Sequence, residues 1–165
     1  GSCTKMRNTT MQYLWAFARC ENLETVILPP QVFRMEGGCF TECTSLTTVV
    51  LPKNITFAHG FKDCTSLKTI EIPDSVTRIE KNAFSGCNKL SSVAIPDGIT
   101  DIEASTFQDC RKLHSVKIPD SVTRIERAAF AGCSSLEKIK VPDQTTEIQA
   151  YAFKDCVKSH TTEVA

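Results

Sequence analysis

Cysteine recurs at positions 20, 43, 64, 87, 110, 133 and 156, in steps of 23, 21, 23, 23, 23 and 23 residues. A fixed period of this length marks one supersecondary unit repeated along the chain, and it constrains the fold more than any local propensity does. The other apolar residues keep the same register. Leu stands at 23, 46, 67, 90, 113 and 136, Pro at 29, 52, 73, 96, 119 and 142, and Phe at 40, 61, 84, 107, 130 and 153. One such unit is too small to bury its own apolar face, so the units must stack and share a continuous core. Residues 72–87 (IPDSVTRIEKNAFSGC) and 118–133 (IPDSVTRIERAAFAGC) agree at thirteen of sixteen positions, two periods apart.

Within a unit, Leu67, Ile70 and Ile72 form the inward set of an extended segment. Pro73 ends it, because proline has no N–H to give to a ladder. Asp-Ser-Val or Asp-Gly-Ile then turns the chain. Val76 and Ile79 predict a second short strand, and Glu80 to Phe84 a short helical turn that plugs the coil with Phe84. The spacing divides the chain into six repeats: 20–42, 43–63, 64–86, 87–109, 110–132 and 133–155. Trp15-Ala16-Phe17 matches the Ala-Phe end of a preceding coil, so residues 1–19 read as a partial repeat and cap. Ser159 takes the Leu slot after Cys156, so 156–165 reads as a tail.

The pattern L-x-x-V-x-I-P-x-S-V-T-x-I-x-x-x-A-F-x-x-C, over residues 20–156, resembles the Treponema-type leucine-rich repeat of the BspA-like family. The resemblance implies an α/β solenoid: a curved right-handed coil with a parallel β-sheet on its concave face. It also implies a surface protein of bacteria or parasitic protists, often an adhesin for host matrix proteins. The expected function is therefore a non-catalytic module that binds a protein or other macromolecule at a microbial cell surface. An intracellular interaction scaffold and a structural spacer array are the rival classes, since one fold serves many functions.

Charge and composition exclude several partners. Nineteen basic and nineteen acidic residues give a net charge of zero, so no global field draws in nucleic acid. No apolar run approaches the roughly 18 residues of a membrane-spanning helix. The regularly spaced cysteines are read as small buried hydrophobes. Stacked with parallel Cβ vectors, neighbours would stand nearly 5 Å apart at Cβ, against the ~3.8 Å a disulfide prefers. No C-x-x-C pair offers metal ligands, and Cys39 fills an Ala slot before Phe40. Cys3, after Gly1-Ser2, is a candidate lipid anchor for a secreted or surface protein. His59, His114 and His160 fall in different units with no nucleophile or cofactor motif beside them, so neither a catalytic site nor a cofactor is expected. Asn8-Thr9-Thr10 and Asn54-Ile55-Thr56 fit the N-glycosylation sequon.

Binding residues should be those that break the repeat. The residue between the last two apolar positions of each first strand points outward, and this ladder reads Ile27, Val50, Glu71, Ala94, Lys117 and Lys140. With Lys138 on the adjacent ladder, the concave face runs from apolar at its N-terminal end to basic at its C-terminal end. Ile27 and Val50 suggest a contact patch, although β-branched residues also simply suit strands. The second unit is two residues short, reading NITFAHGF where the third reads SVTRIEKNAF. Phe57 stands there in the Arg78 slot, and with His59 and the shorter arm it marks either a notch or bend on that side or a neutral deletion. Arg78, Asp101, Arg124 and Glu147 alternate in sign down one face, and Asp63, Gly86, Asp109, Gly132 and Asp155 alternate in the slot before Cys. Both patterns predict a two-coil rhythm that separates like charges.

Overall fold

The computed structural model describes residues 16–35, 37–137 and 139–156. Cys3, Lys138, most of the expected cap and nearly all of the expected tail lie outside these residues. The chain is a parallel β-solenoid. Coils 1 to 6 denote the segments opening at Cys20, Cys43, Cys64, Cys87, Cys110 and Cys133. On the first face lie β1 (Thr25–Ile27), β2 (Thr48–Val50), β5 (Ser92–Ala94) and β7 (Ser115–Lys117). On the second lie β3 (Phe57–Ala58), β4 (Arg78–Ile79), β6 (Asp101–Ile102), β8 (Arg124–Ile125) and β9 (Glu147–Ile148). Every strand pair is parallel and follows the register of the sequence, as in Val26↔Val49, Val93↔Val116 and Ile102↔Ile125.

The repeated framework forms the core. Leu46, Leu67, Leu90 and Leu113 are fully buried, as are Phe40, Phe61, Phe84, Phe107 and Phe130. The phenylalanine rings, from Phe17 to Phe153, stack with centroids 5.4–5.6 Å apart and planes within 12° of parallel. Each such contact contributes about 0.5–1.5 kcal/mol beyond its burial.

The cysteine ladder is core, as its spacing suggests, and it also has a polar task. Cys64 Sγ donates to Phe40 O at 3.1 Å, and Cys87, Cys110, Cys133 and Cys156 repeat this contact with the Phe carbonyl one coil back. A leucine would leave that buried carbonyl one partner short, which explains a small residue with a weak donor. These five residues are free thiols. Burial pushes Cys110 up to about 12 and Cys156 up to about 11, so neither is a reactive thiolate at neutral pH.

The expected helical turn is not formed: among the described residues there is no helix. Residues 81–86 make successive turns instead, with Ala83 N donating to Glu80 O and Ser85 N to Asn82 O. The reason lies in the backbone. Asn82, Ser105, Ala128 and Tyr151 hold φ of +56° to +64°, and one left-handed residue interrupts a right-handed helix.

Backbone geometry also explains the alternation before each cysteine. Arg19, Glu42, Asp63, Gly86, Asp109, Gly132 and Asp155 all have φ between +58° and +75°. A Cβ added at Gly86 would collide with Asp63 Oδ1, and one at Gly132 would meet Asp109 Oδ1 at 2.5 Å. An Asp in one coil occupies the space above the next, so glycine follows Asp63 and Asp109, whereas Arg19 and Glu42 come before the alternation begins. The rhythm in this slot is steric.

Two ladders are interrupted. On the first face β2 pairs with β1, and pairing resumes only at the Thr69–Ser92 bridge. The break adjoins the shortened coil. On the second face β4 and β6 belong to separate sheets. Ser75 Oγ donates to Ile55 O and Ser121 Oγ to Ile99 O, but coil 4 has Gly98 in that slot and brings no hydroxyl to Val76 O.

Candidate functional site

The first face presents the expected outward ladder. Inward Val26 is 5% exposed and its neighbour Ile27 is 69% exposed; Val50 is 47% exposed. Ile27 and Val50 are direct register partners, so they form one continuous apolar step. Ala94 pairs with Lys117 in the other block. Glu71, Lys117 and Lys140 are exposed. The outer surface of this face is otherwise short side chains: Thr25, Thr48, Thr69, Ser92 and Ser115.

Phe57 and His59 lie apart from this ladder, in and beside β3. Phe57 does take the Arg78 slot, paired in register with it. Its ring is 9% exposed, because the guanidiniums of Arg34 and Arg78 cover it, with their central carbons 5.2 and 5.7 Å from the ring centroid. The column therefore reads Arg34, Phe57, Arg78, Asp101, Arg124, Glu147. Where the alternation of charge would fail, an aromatic ring separates two arginines and attracts both.

His59 is half-buried. Its Nδ1 sits 3.6 Å from Glu80 Oε2, just beyond hydrogen-bond reach, and has no hydrogen-bond partner among the described residues. Burial lowers its pKa below the ordinary value, outweighing the carboxylates of Glu80 and Glu103. The regular coils show what is displaced. Glu103 Oε2 accepts from Lys81 N, Glu126 Oε2 from Ala104 N and Gln149 Oε1 from Arg127 N, each reaching back one coil to a turn N–H. Coil 2 lacks the two residues that would supply that N–H, so Glu80 meets an imidazole instead.

These repeated acids are thus turn caps, and their charges are used internally. Arg78 Nε donates to Glu103 Oε1 at 2.8 Å and Arg124 Nε to Asp101 Oδ1 at 2.6 Å. The sign alternation holds, but Arg78 reaches the cap column rather than Asp101. The Thr100 hydroxyl, with Arg124 beside it, holds Asp101 below the usual carboxylate range against the opposing effect of burial. Thr77, Arg78, Thr100, Asp101, Glu103, Arg124 and Glu126 line a shallow polar groove of about 430 Å³ over the β4–β6 gap.

Sequence reasoning missed Phe33, which is 49% exposed. It replaces the threonine found at 56, 77, 100, 123 and 146, and that substitution was its signal. Ile148 was also missed. It fills the framework slot of Ile79, Ile102 and Ile125, yet is 45% exposed because β9 ends its sheet.

Stacked parallel strands, an inward Leu and Ile framework and a shared Phe column define a leucine-rich-repeat solenoid. A family model described as the BspA type leucine rich repeat region matches residues 3–60 and 57–164, in six copies. The chain belongs to this BspA-type leucine-rich repeat family. Three solved structures are similar. A leucine-rich repeat protein from Bacteroides ovatus is 29% identical with a TM-score of 0.83, covering 86% of this chain and 37% of that one. A leucine rich cell surface protein from Faecalibacterium prausnitzii is 38% identical with a TM-score of 0.76, covering 81% and 37%. The leucine-rich repeat protein of T. pallidum is 30% identical with a TM-score of 0.75, covering 82% and 64%. The chain thus spans little more than a third of the first two. No curated protein sequence matches it. Among the described residues no helix is long and apolar enough to cross a membrane.

Proposed function

We propose that this chain is a non-catalytic protein-binding module of a microbial cell-surface protein, and that its first face is the docking surface. The observation that carries this reading is the exposed Ile27–Val50 step, on a strand ladder whose other outward residues are polar or small. Glu71, Lys117 and Lys140 supply charge further along the same face. The mechanism is rigid display. Strands stacked about 4.8 Å apart hold these side chains at fixed spacing, so little ordering entropy is lost on binding. Host extracellular matrix protein is the partner class, and the similar cell-surface protein of F. prausnitzii supports the location. The six-repeat division at 20–155 and a lipid anchor at Cys3 belong to this proposal.

The test is binding to immobilised extracellular matrix proteins by wild type and by the double variant Ile27→Asp, Val50→Asp. Binding should disappear while the circular dichroism spectrum and thermal midpoint persist. Unchanged affinity would remove the patch from the site.

A further inference from the structure

The turns that close successive coils differ in height. In three aligned slots coil 4 carries Ser105, Gln108 and Asp109, coil 5 carries Ala128, Ala131 and Gly132, and coil 6 carries Tyr151, Lys154 and Asp155. Coil 5 therefore lies low between two taller neighbours, and a cavity of about 450 Å³ opens over it. All of these residues line it, together with Arg127. None belongs to a strand, so the cavity lies apart from both sheet faces. The steric rhythm before cysteine shapes its floor, since the Asp109 carboxylate leans over Gly132.

Tyr151 breaks the row. The same left-handed slot holds Asn82, Ser105 and Ala128 in the other coils. A bulky side chain is seldom placed at such a φ, and strain of this kind collects where ligands are held. Arg127 Cζ and Lys154 Nζ stand 5.7 and 5.6 Å from its ring centroid, yet Tyr151 is 57% exposed. Phe57, between two guanidiniums at similar distances, is 9% exposed. The polar groups of the cavity are also free of one another's charge. Asp109, Arg127, Lys154 and Asp155 make no ion pair with a described residue, unlike Arg78 and Arg124 on the second face. Gln108 Nε2 donates to Asp109 Oδ2 at 3.5 Å, which sets an amide beside a carboxylate.

We propose that this cavity binds a neutral mono- or disaccharide. Its volume is within the roughly 300–1,000 Å³ of small-molecule sites. Two cations and two carboxylates share it, so a phosphate, sulfate or nucleic acid gains no net attraction there. An apolar ligand would find a single ring. A sugar matches both features. Its C–H bonds carry partial positive charge and favour the negative face of the Tyr151 ring. Its hydroxyls both donate and accept, so they can give to Asp109 and Asp155 and receive from Gln108, Arg127 and Lys154. The site is independent of the first face and leaves that face free for a protein.

The experiment is calorimetric titration of the full chain with lactose, maltose, cellobiose and diacetylchitobiose, and with sialyllactose and sulfated lactose as charged probes. At least one neutral sugar should bind with a Kd of about 1 mM or tighter. Tyr151→Ala removes the ring, and Ala131→Gln fills the floor. Each copies a register mate, Ala128 or Gln108, so the fold should persist, and thermal midpoints check this. Each variant should bind at least about tenfold more weakly. No neutral sugar bound at about 10 mM, tighter binding by the charged sugars, or binding that either variant leaves intact overturns the proposal. The double variant Ile27→Asp, Val50→Asp should bind sugar like wild type; loss there would move the sugar to the first face and overturn it too. Sugar binding that survives while matrix binding fails sinks the first-face reading alone.

Discussion

Coil 2 and coil 5 solve the same packing problem with different backbones. Coil 5 follows Ile125 with Glu126 and a left-handed Ala128, and the Glu126 carboxylate caps the turn of coil 4. Coil 2 drops two residues and turns through Gly60 at φ +95°. The framework does not register the loss, because Leu46, Ile55 and Phe61 are as buried as their counterparts. What changes is polar and local: the cap is lost, His59 faces Glu80, and first-face pairing breaks between coils 2 and 3. A solenoid tolerates deletion where chain runs between framework contacts, since each coil answers only to its neighbours.

The comparison can be tested from its strongest consequence downwards. Leu90→Ala in a regular coil and Leu46→Ala in the short one should each cost about 2–5 kcal/mol in denaturant unfolding. A much smaller loss at Leu46 would show that coil 2 packs loosely. Gly60→Ala should cost about 2–3 kcal/mol, because its Cβ would stand 3.0 Å from Cys39 N and Gly37 O at a φ that strains any side chain. Ala83→Gly, the same slot in coil 3, should cost no more than about 1 kcal/mol.

Smaller effects sharpen the contrast. Glu126→Ala should lose about 1 kcal/mol through the orphaned Ala104 N–H. Glu126→Gln should lose little, since Gln149 already performs this task; equal losses would refute the capping role. Gly98→Ser should stabilise by about 1 kcal/mol, because its Cβ has room 3.4 Å from Val76 O and its hydroxyl restores the bond made by Ser75 and Ser121. The smallest effect is in pH. The folded pKa of His59 is depressed below 6.5, so the unfolded chain binds this proton more readily. Its contribution is fully present above about pH 6.5 and falls as pH drops through the folded value. Thermal midpoints at pH 7.5 and 5 should differ less in His59→Leu than in wild type.

Much of this was legible in the chain itself. Period, inward framework, outward ladder and strand register follow from the residues, because a repeated apolar pattern admits one stacking register. The helical turn was misread at Asn82 and Ala128, since a left-handed φ at Ala leaves no mark in a sequence. Phe57 was assigned its slot correctly, but its burial under Arg34 and Arg78 could not be read.

The sequence by itself determined that the units stack, which residues face inward, and that Ile27 and Val50 break the outward ladder. Those properties depend on spacing along the chain, which the residues carry explicitly. Only the tertiary structure decided which charges are used up and which remain available. Arg78 reaches Glu103 rather than Asp101, and the acids of the cap column bind backbone one coil away. Among the described residues, Lys89, Asp97, Lys112 and Asp120 find no such partner. The reason is that an ion pair between coils depends on side-chain reach and direction across about 4.8 Å, which no repeat period encodes.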